Sequence, residues 1–201
     1  MKLLIRGGSI AAGYGVVHRY ADILTEPLFA KGIALINRSR PGETTFDGVS
    51  TFDQDIDPFR PDMLLIHFGI DDAFQCVYRS EFQENLVQMI RLARTRFRPA
   101  VFLATSHTFD NPCEQDAVDV FYRALRLVAS DLDCKWIPVH HHWAGYLAEH
   151  GLKSQDLVLT DPRHPNARGH QLIAEALMQG LNRHVENLTA SRQGSQQLQG
   201  P

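Results

Sequence analysis

Two short segments near opposite ends of this sequence carry residues that can act together on a carbonyl carbon. The first is Gly7-Gly8-Ser9-Ile10-Ala11-Ala12-Gly13, which follows a short apolar run and leads toward a helical pattern. A serine in such a turn stands at the carboxyl end of a strand, where open parallel sheets hold their ligands. Nearby backbone N–H groups and a helix N-terminus favour a developing negative charge. The glycines allow a sharp turn and close approach of a substrate. By itself this segment also fits a plain turn or a phosphate-binding loop. The second segment runs from Leu159 through Asp161, Pro162, His164, Pro165 and Asn166 to His170. Asp161 and His164 are three apart on a proline-constrained loop, close enough for a carboxylate to meet an imidazole. A serine hydroxyl needs a base to take its proton. The base in turn needs a carboxylate to fix its tautomer and stabilise its cation. By itself the pair also fits a turn-capping aspartate beside a packed histidine.

Together the two segments resemble the SGNH hydrolases, also called GDSL esterases and lipases. That family has a Gly-Asp-Ser-x-x-x-Gly block near the N-terminus and an Asp-x-x-His-Pro-Asn block near the C-terminus. Gly7-Gly8-Ser9 with Gly13 is similar to the first, and Asp161 through Asn166 matches the second in full. Between them, Asn37-Arg38-Ser39-Arg40-Pro41-Gly42-Glu43-Thr44-Thr45 resembles the second block, and Gly69-Ile70-Asp71-Asp72 the third, Gly-x-Asn-Asp. The resemblance implies that Ser9 attacks, that His164 is base and then acid, and that Asp161 orients His164. It also implies an oxyanion hole built from the N–H groups of Ser9 and Gly42 and the side chain at position 71. Two departures stand out. Gly8 replaces the family's Asp, a change expected to alter the turn more than the chemistry. Asp71 replaces the Asn whose amide donates to the oxyanion, and an ionised carboxylate has no proton to donate. Loss of one such donor costs ~10²–10³ in rate. Either Asp71 is protonated, through desolvation and the neighbouring Asp72, or the activity is weak or redirected.

The implied reaction is hydrolysis of a carboxylic ester through an acyl-enzyme, with a small-molecule ester as substrate and no cofactor or metal. A chain this short leaves little room for a large lid, which favours a short acyl group such as the O-acetyl of a sugar. Two alternatives share the scaffold. One is an acyltransferase that passes the acyl group to an alcohol. The other is a non-catalytic binding protein whose oxyanion hole has drifted.

Other side chains have plainer readings. His140-His141-His142 follows a strand, but consecutive side chains point in different directions and no Cys or carboxylate sits at a zinc spacing nearby. One of these histidines instead suits the mouth of the site. His67 and His107 fit core or pocket wall, and His170 a structural role. Trp136, Trp143 and Phe74 fit core or pocket wall. Arg91, Arg94, Arg96 and Arg98 fit a solvated helix end, where cations suit the dipole.

The elements that must position these residues alternate. Short apolar runs at 2–5, 33–36, 63–68, 100–105 and 136–139 predict five strands. Helical periodicity predicts helices over 16–29, 80–97, 115–129 and 167–188, the second capped by Ser80 with Gln83 completing a capping box. Strands separated by helices imply a three-layer α/β/α sandwich around a parallel sheet of about five strands. The resemblance implies the same flavodoxin-like arrangement. One domain is expected over 1–189. Residues 190–201, rich in Ser, Gln and Gly, are expected to be a disordered tail.

Composition narrows the function classes. The 201 residues are 44% hydrophobic and 21% charged, with a formal net charge of -3. A nucleic-acid binder would carry a basic patch, and none is visible. Cys76, Cys113 and Cys134 form no paired framework, which suggests free thiols in a reducing compartment. The N-terminal apolar run is too short for a signal peptide and no stretch is long enough to span a bilayer, so a cytoplasmic location is expected.

Overall fold

The computed structural model describes residues 1–197. Five strands, β1 (Lys2–Gly7), β2 (Ala34–Asn37), β3 (Met63–His67), β4 (Ala100–Ala104) and β5 (Lys135–Ile137), form one parallel sheet in the order β2-β1-β3-β4-β5. The three central strands are near-continuous apolar runs, and Leu3 to Ile5, Met63 to Ile66 and Val101 to Ala104 are all buried. That pattern belongs to strands covered on both faces. Helices α2 (Tyr20–Phe29), α8 (Val139–His150) and α9 (Ala167–Gln197) pack together on one face, while α3 (Thr45–Ser50), α6 (Arg79–Arg96) and α7 (Pro112–Asp131) pack on the other. Of three further short helices, α1 (Ser9–Ala12) precedes α2, and α4 (Phe52–Asp55) and α5 (Ile70–Phe74) lie between α3 and α6 in sequence. The three-layer α/β/α architecture expected from the alternation is therefore the one observed.

The chain leaves β1 toward β2 on one side, and the sheet then continues through β3 on the other. The order of strands thus reverses between β1 and β3, and open sheets bind ligands in the crevice at such a reversal. Gly7 pairs with His67, so both strands end at the same level. The turns that follow them, carrying Ser9 and Asp71, face each other across this crevice.

Several elements differ from the sequence reading. The helix expected over 16–29 begins only at Tyr20, because Gly13 and Gly15 adopt left-handed conformations that break the chain direction after the four-residue α1. The α6 cap is Tyr78, whose N–H donates to Glu81, and Ser80 lies inside the first turn. The fifth strand stops at Ile137, and Val139 already belongs to α8, which carries the three consecutive histidines. The buried face of α6, with Phe82, Leu86, Met89, Ile90 and Ala93, is the one its periodicity predicts. Helix α9 continues past 188 to Gln197, and the end of the expected tail, 198–201, lies outside the described residues. Cys76, Cys113 and Cys134 are free. Among the described residues no helix is long and apolar enough to cross a membrane.

Candidate active site

Ser9 opens α1 directly after β1 and is 4% exposed, although a loop position would be expected to be open. Its polar atoms are both occupied. The hydroxyl donates to Asp71 Oδ1 at 2.6 Å, and the backbone N–H donates to Asp71 Oδ2, also at 2.6 Å. The Gly42 N–H donates to Ser9 Oγ at 2.8 Å. Gly42 has φ of 76°, a left-handed conformation that suits glycine. Its carbonyl accepts from Gln75 Nε2 at 2.7 Å, which ties the β2–α3 loop to α5.

Gly8 is required by this arrangement. A Cβ there would lie 2.1 Å from Asp71 Oδ2 and 2.5 Å from the Glu43 carbonyl oxygen. The change at position 8 therefore bears on the Asp71 carboxyl as well as on the turn. The two departures from the family pattern occupy the same few ångströms, and the carboxylate at position 71 fills space that a side chain at position 8 would need.

Burial pushes the Asp71 carboxyl above its ordinary value, against the lowering effect of the two Ser9 donors and the nearby His164. Desolvation, one half of the expectation, is thus the leading cause, while the other half, repulsion from Asp72, is not among the causes. The Asp72 carboxylate is turned to structural use. Oδ1 accepts from the Thr45 N–H at 2.9 Å and the Thr45 hydroxyl at 2.6 Å, and Oδ2 accepts from the Gly69 N–H at 3.1 Å. Asp72 is fully buried, which pushes its pKa up to about 6 despite these donors. Asp72 therefore joins the turn after β3 to the start of α3.

The loop carrying Gly42 is anchored from below by charge. Arg6, fully buried in β1, donates to Glu43 and, at 2.9 Å, to Thr51 Oγ1. Asp55, also fully buried, accepts from Arg38 at 2.9 Å and from Arg40 at 2.7 Å, and lies 3.5 Å from Arg6. Burial pushes the Asp55 carboxyl up, but these arginines and Thr51 hold it well below the usual carboxylate range.

The second segment folds into a closed loop. Val158 and Pro165 form an isolated antiparallel bridge, and the Leu159 N–H donates to the His164 carbonyl. Asn166 Oδ1 accepts from the N–H groups of Arg168 and Gly169, capping α9. Its Nδ2 donates to the carbonyls of Asp156 and Val158. Within this loop His164 Nδ1 lies 2.9 Å from Asp161 Oδ2, and Asp161 Oδ1 accepts from the Arg163 N–H at 3.1 Å. Burial pushes the Asp161 carboxyl slightly up, but Arg163 and His164 together bring it below its ordinary value. The ring of Tyr14 packs on His164 with centroids 4.5 Å apart. Beneath the loop, buried His107 places Nε2 3.2 Å from the Pro162 carbonyl. Burial lowers the His107 pKa to about 4, so the neutral ring donates through Nε2–H.

Ser9, Asp71, Asp161 and His164 line one pocket of about 170 Å³, together with Ile70, Phe74, Gln75 and Arg163. The Arg163 guanidinium stands 4.0 Å above the Phe74 ring and pairs with Glu114 at 3.3 Å. No hydrogen bond joins Ser9 to His164, and the serine hydroxyl is turned to Asp71. Tyr14, Gln75 and Arg163 went unremarked in the sequence, since nothing in local spacing links them to Ser9.

The remaining candidates fall elsewhere. His67 and His170 are core residues bound to Tyr20, through its hydroxyl at 2.9 Å and its N–H at 3.2 Å. Trp143 is fully buried. Arg94 and Arg96 end α6 as a helix end would, Arg94 on the Asp133 carbonyl and Arg96 on Asp53 and Asp57. Among the described residues no group of three or more His, Cys, Asp or Glu side chains is gathered as for a metal.

Residues 6–172 match the model of the GDSL-like Lipase/Acylhydrolase family. An arylesterase of Vibrio mimicus is 26% identical over 188 residues, which cover 92% of this chain and 90% of that protein. Among solved structures, Axe2, an acetylxylan esterase from Geobacillus stearothermophilus, superposes with a TM-score of 0.80 at 20% identity, covering 89% of this chain and 93% of that one. An alpha/beta hydrolase enzyme from the metagenome of Lake Arreo, Spain, gives a TM-score of 0.78 at 23% identity, with 89% and 94% covered.

Proposed function

The chain belongs to the GDSL-like lipase/acylhydrolase family and is an enzyme of ester hydrolysis, and on that premise we propose that it is a serine esterase acting on short acyl esters through Ser9, His164 and Asp161. The observation that carries this reading is a single pocket walled by both Ser9 and the hydrogen-bonded Asp161–His164 pair. Ser9 Oγ attacks the acyl carbon as its proton passes to His164 Nε2. The resulting imidazolium is stabilised by Asp161. The oxyanion that forms is met by the N–H of Gly42, by the N–H of Ser9 once Asp71 releases it, and by Asp71 in its neutral form. His164 then protonates the leaving alkoxide. Water, deprotonated by His164, cleaves the acyl-enzyme and frees the acid.

Asp71 decides whether this sequence can begin. As a carboxylate it takes the Ser9 hydroxyl proton and the Ser9 N–H together. As a neutral acid protonated on Oδ1 it donates to Ser9 Oγ instead, which frees the serine hydrogen to turn toward His164. At about 170 Å³ the pocket is small, which suits an acetyl or similarly short acyl group. O-acetylated sugars are substrates of this size at the acyl end.

A fluorophosphonate probe tests the reading. The wild-type chain should be labelled at Ser9 and should hydrolyse short-chain nitrophenyl esters, while Ser9→Ala should do neither. A wild type inert to both would leave the non-catalytic binding protein as the better account. Acyl transfer to an added alcohol in preference to water would establish the acyltransferase.

A further inference from the structure

A cavity of about 500 Å³ opens on the far flank of the sheet and shares no lining residue with the Ser9 pocket. It lies beside the edge strand β5, three strands from β1, or about 14 Å across the sheet at ~4.8 Å per strand. Its walls are Asp119, Arg123 and Arg126 of α7, Trp136 of β5, and His140 and His141 in the first turn of α8.

Arg123 and Arg126 are one turn apart on α7, so their side chains share a face. Both are exposed, and among the described residues neither makes an ion pair or a hydrogen bond. Asp119 is the acid in this wall, and one of its oxygens already accepts from Gln115 Nε2 at 2.7 Å. His140 is held in one tautomer. The Thr105 hydroxyl lies 2.7 Å from His140 Nδ1 and accepts the His140 N–H at 3.3 Å. Among the described residues Nδ1 is the one acceptor hydrogen-bonded to that hydroxyl, so it receives the hydroxyl hydrogen. The neutral ring then carries its proton on Nε2, as a donor for the cavity. Burial, helped by neighbouring His141 and opposed by Asp119, lowers the His140 pKa to about 4 and keeps it neutral.

The free polar groups are thus mainly donors, set beside the half-buried indole of Trp136. Two guanidiniums and one carboxylate leave one net positive charge, which matches a monoanion better than a dianion. We propose that this cavity is a second ligand site, which binds a small aromatic carboxylate with its ring on Trp136 and its carboxylate on Arg123 and Arg126. The proposal does not rest on the esterase reading.

The test is a fluorine NMR titration with 4-fluorobenzoate, using the full chain. Saturable binding near about 1 mM is expected for so small a ligand. Arg123→Gln with Arg126→Gln should weaken it about tenfold or more, as should Trp136→Ala. The neutral isostere 4-fluorobenzamide should bind at least about tenfold more weakly than the acid, since the charge-assisted bonds are lost. Arg163→Gln, at the Ser9 pocket, should leave binding unchanged. The two α7 arginines are exposed and without partners, so their loss should not unfold the chain. Three outcomes would each overturn the proposal. They are no saturation in the wild type, loss on Arg163→Gln in place of the α7 pair, and displacement of the probe by an equal concentration of inorganic phosphate.

Discussion

Asp71 grips Ser9 at two atoms, one carboxylate oxygen on the hydroxyl and the other on the backbone N–H, each at 2.6 Å. An ionised carboxylate so placed occupies both the nucleophile and one oxyanion donor. A neutral one supplies a hydrogen in the same place.

The first prediction follows from that pair. Burial raises the Asp71 pKa, so its neutral form persists to higher pH than an ordinary aspartic acid allows. As pH rises through the raised value the carboxylate forms, Ser9 is sequestered and kcat/KM falls. The requirement for an unprotonated base acts in the opposite sense, which gives a bell-shaped profile. Asp71→Asn supplies a donor at every pH. It should remove the Asp71 limb and raise the rate on the basic side by about tenfold or more, with the ~10²–10³ typical of one oxyanion donor as the ceiling. An active wild type whose pH–rate profile is untouched by Asp71→Asn would show that Asp71 does not act on the oxyanion.

Ser9→Ala and His164→Ala should each lower kcat by roughly 10⁴–10⁶, and the double variant should be little worse than either. Independent, multiplying losses would argue against a shared mechanism. Ser9→Ala should also cost ~1–2 kcal/mol of stability, because it strands the Gly42 N–H and Asp71 Oδ1. His164 lies on a more open loop and should cost less, as denaturant midpoints would report.

Gly8→Ala brings a methyl group against Asp71 Oδ2 and the Glu43 carbonyl, and should destabilise the chain by ~1–3 kcal/mol. The same change in an Asp71→Ala background should cost measurably less, since one of the two obstacles is gone. Strictly additive costs in this double-mutant cycle would assign the conflict to the Glu43 backbone alone.

Arg6→Met removes a buried guanidinium from the pair of carboxylates it faces. Arg38 and Arg40 still serve Asp55, so the expected cost is ~3 kcal/mol, at the low end for a broken buried pair. The loop bearing Gly42 loses its anchor with it, and kcat should fall as well. A variant with wild-type midpoint and turnover would remove Arg6 from this role.

Strand positions were legible because buried parallel strands are short apolar runs, and 63–68 and 100–105 missed the observed ends by one residue each. The short helices were not legible. Helices α1, α3, α4 and α5 have four to six residues, too few for a 3.6-residue period to declare itself. Helix α8 was hidden by its polar histidine run. Ser9, Gly42, Asp71, Asp161 and His164 could be named from ordered motifs, and the structure gathers them around one crevice. What Asp71 does to Ser9 could not be read, because it depends on a contact between residues 62 positions apart. The space that makes Gly8 necessary is likewise invisible until β1 and β3 are set side by side.

The loop from Val158 to Asn166 is knotted to itself by the Val158–Pro165 bridge, the Leu159–His164 backbone bond and the Asn166 amide. Asp161 and His164 therefore ride on one small, self-bonded platform, with their mutual hydrogen bond internal to it. Any displacement that brings His164 toward Ser9 can carry Asp161 along and leave that bond at its 2.9 Å. The Asp161–His164 geometry is thus set within the loop itself, while Pro162 and Arg163 seat the loop on His107, Glu114 and Phe74.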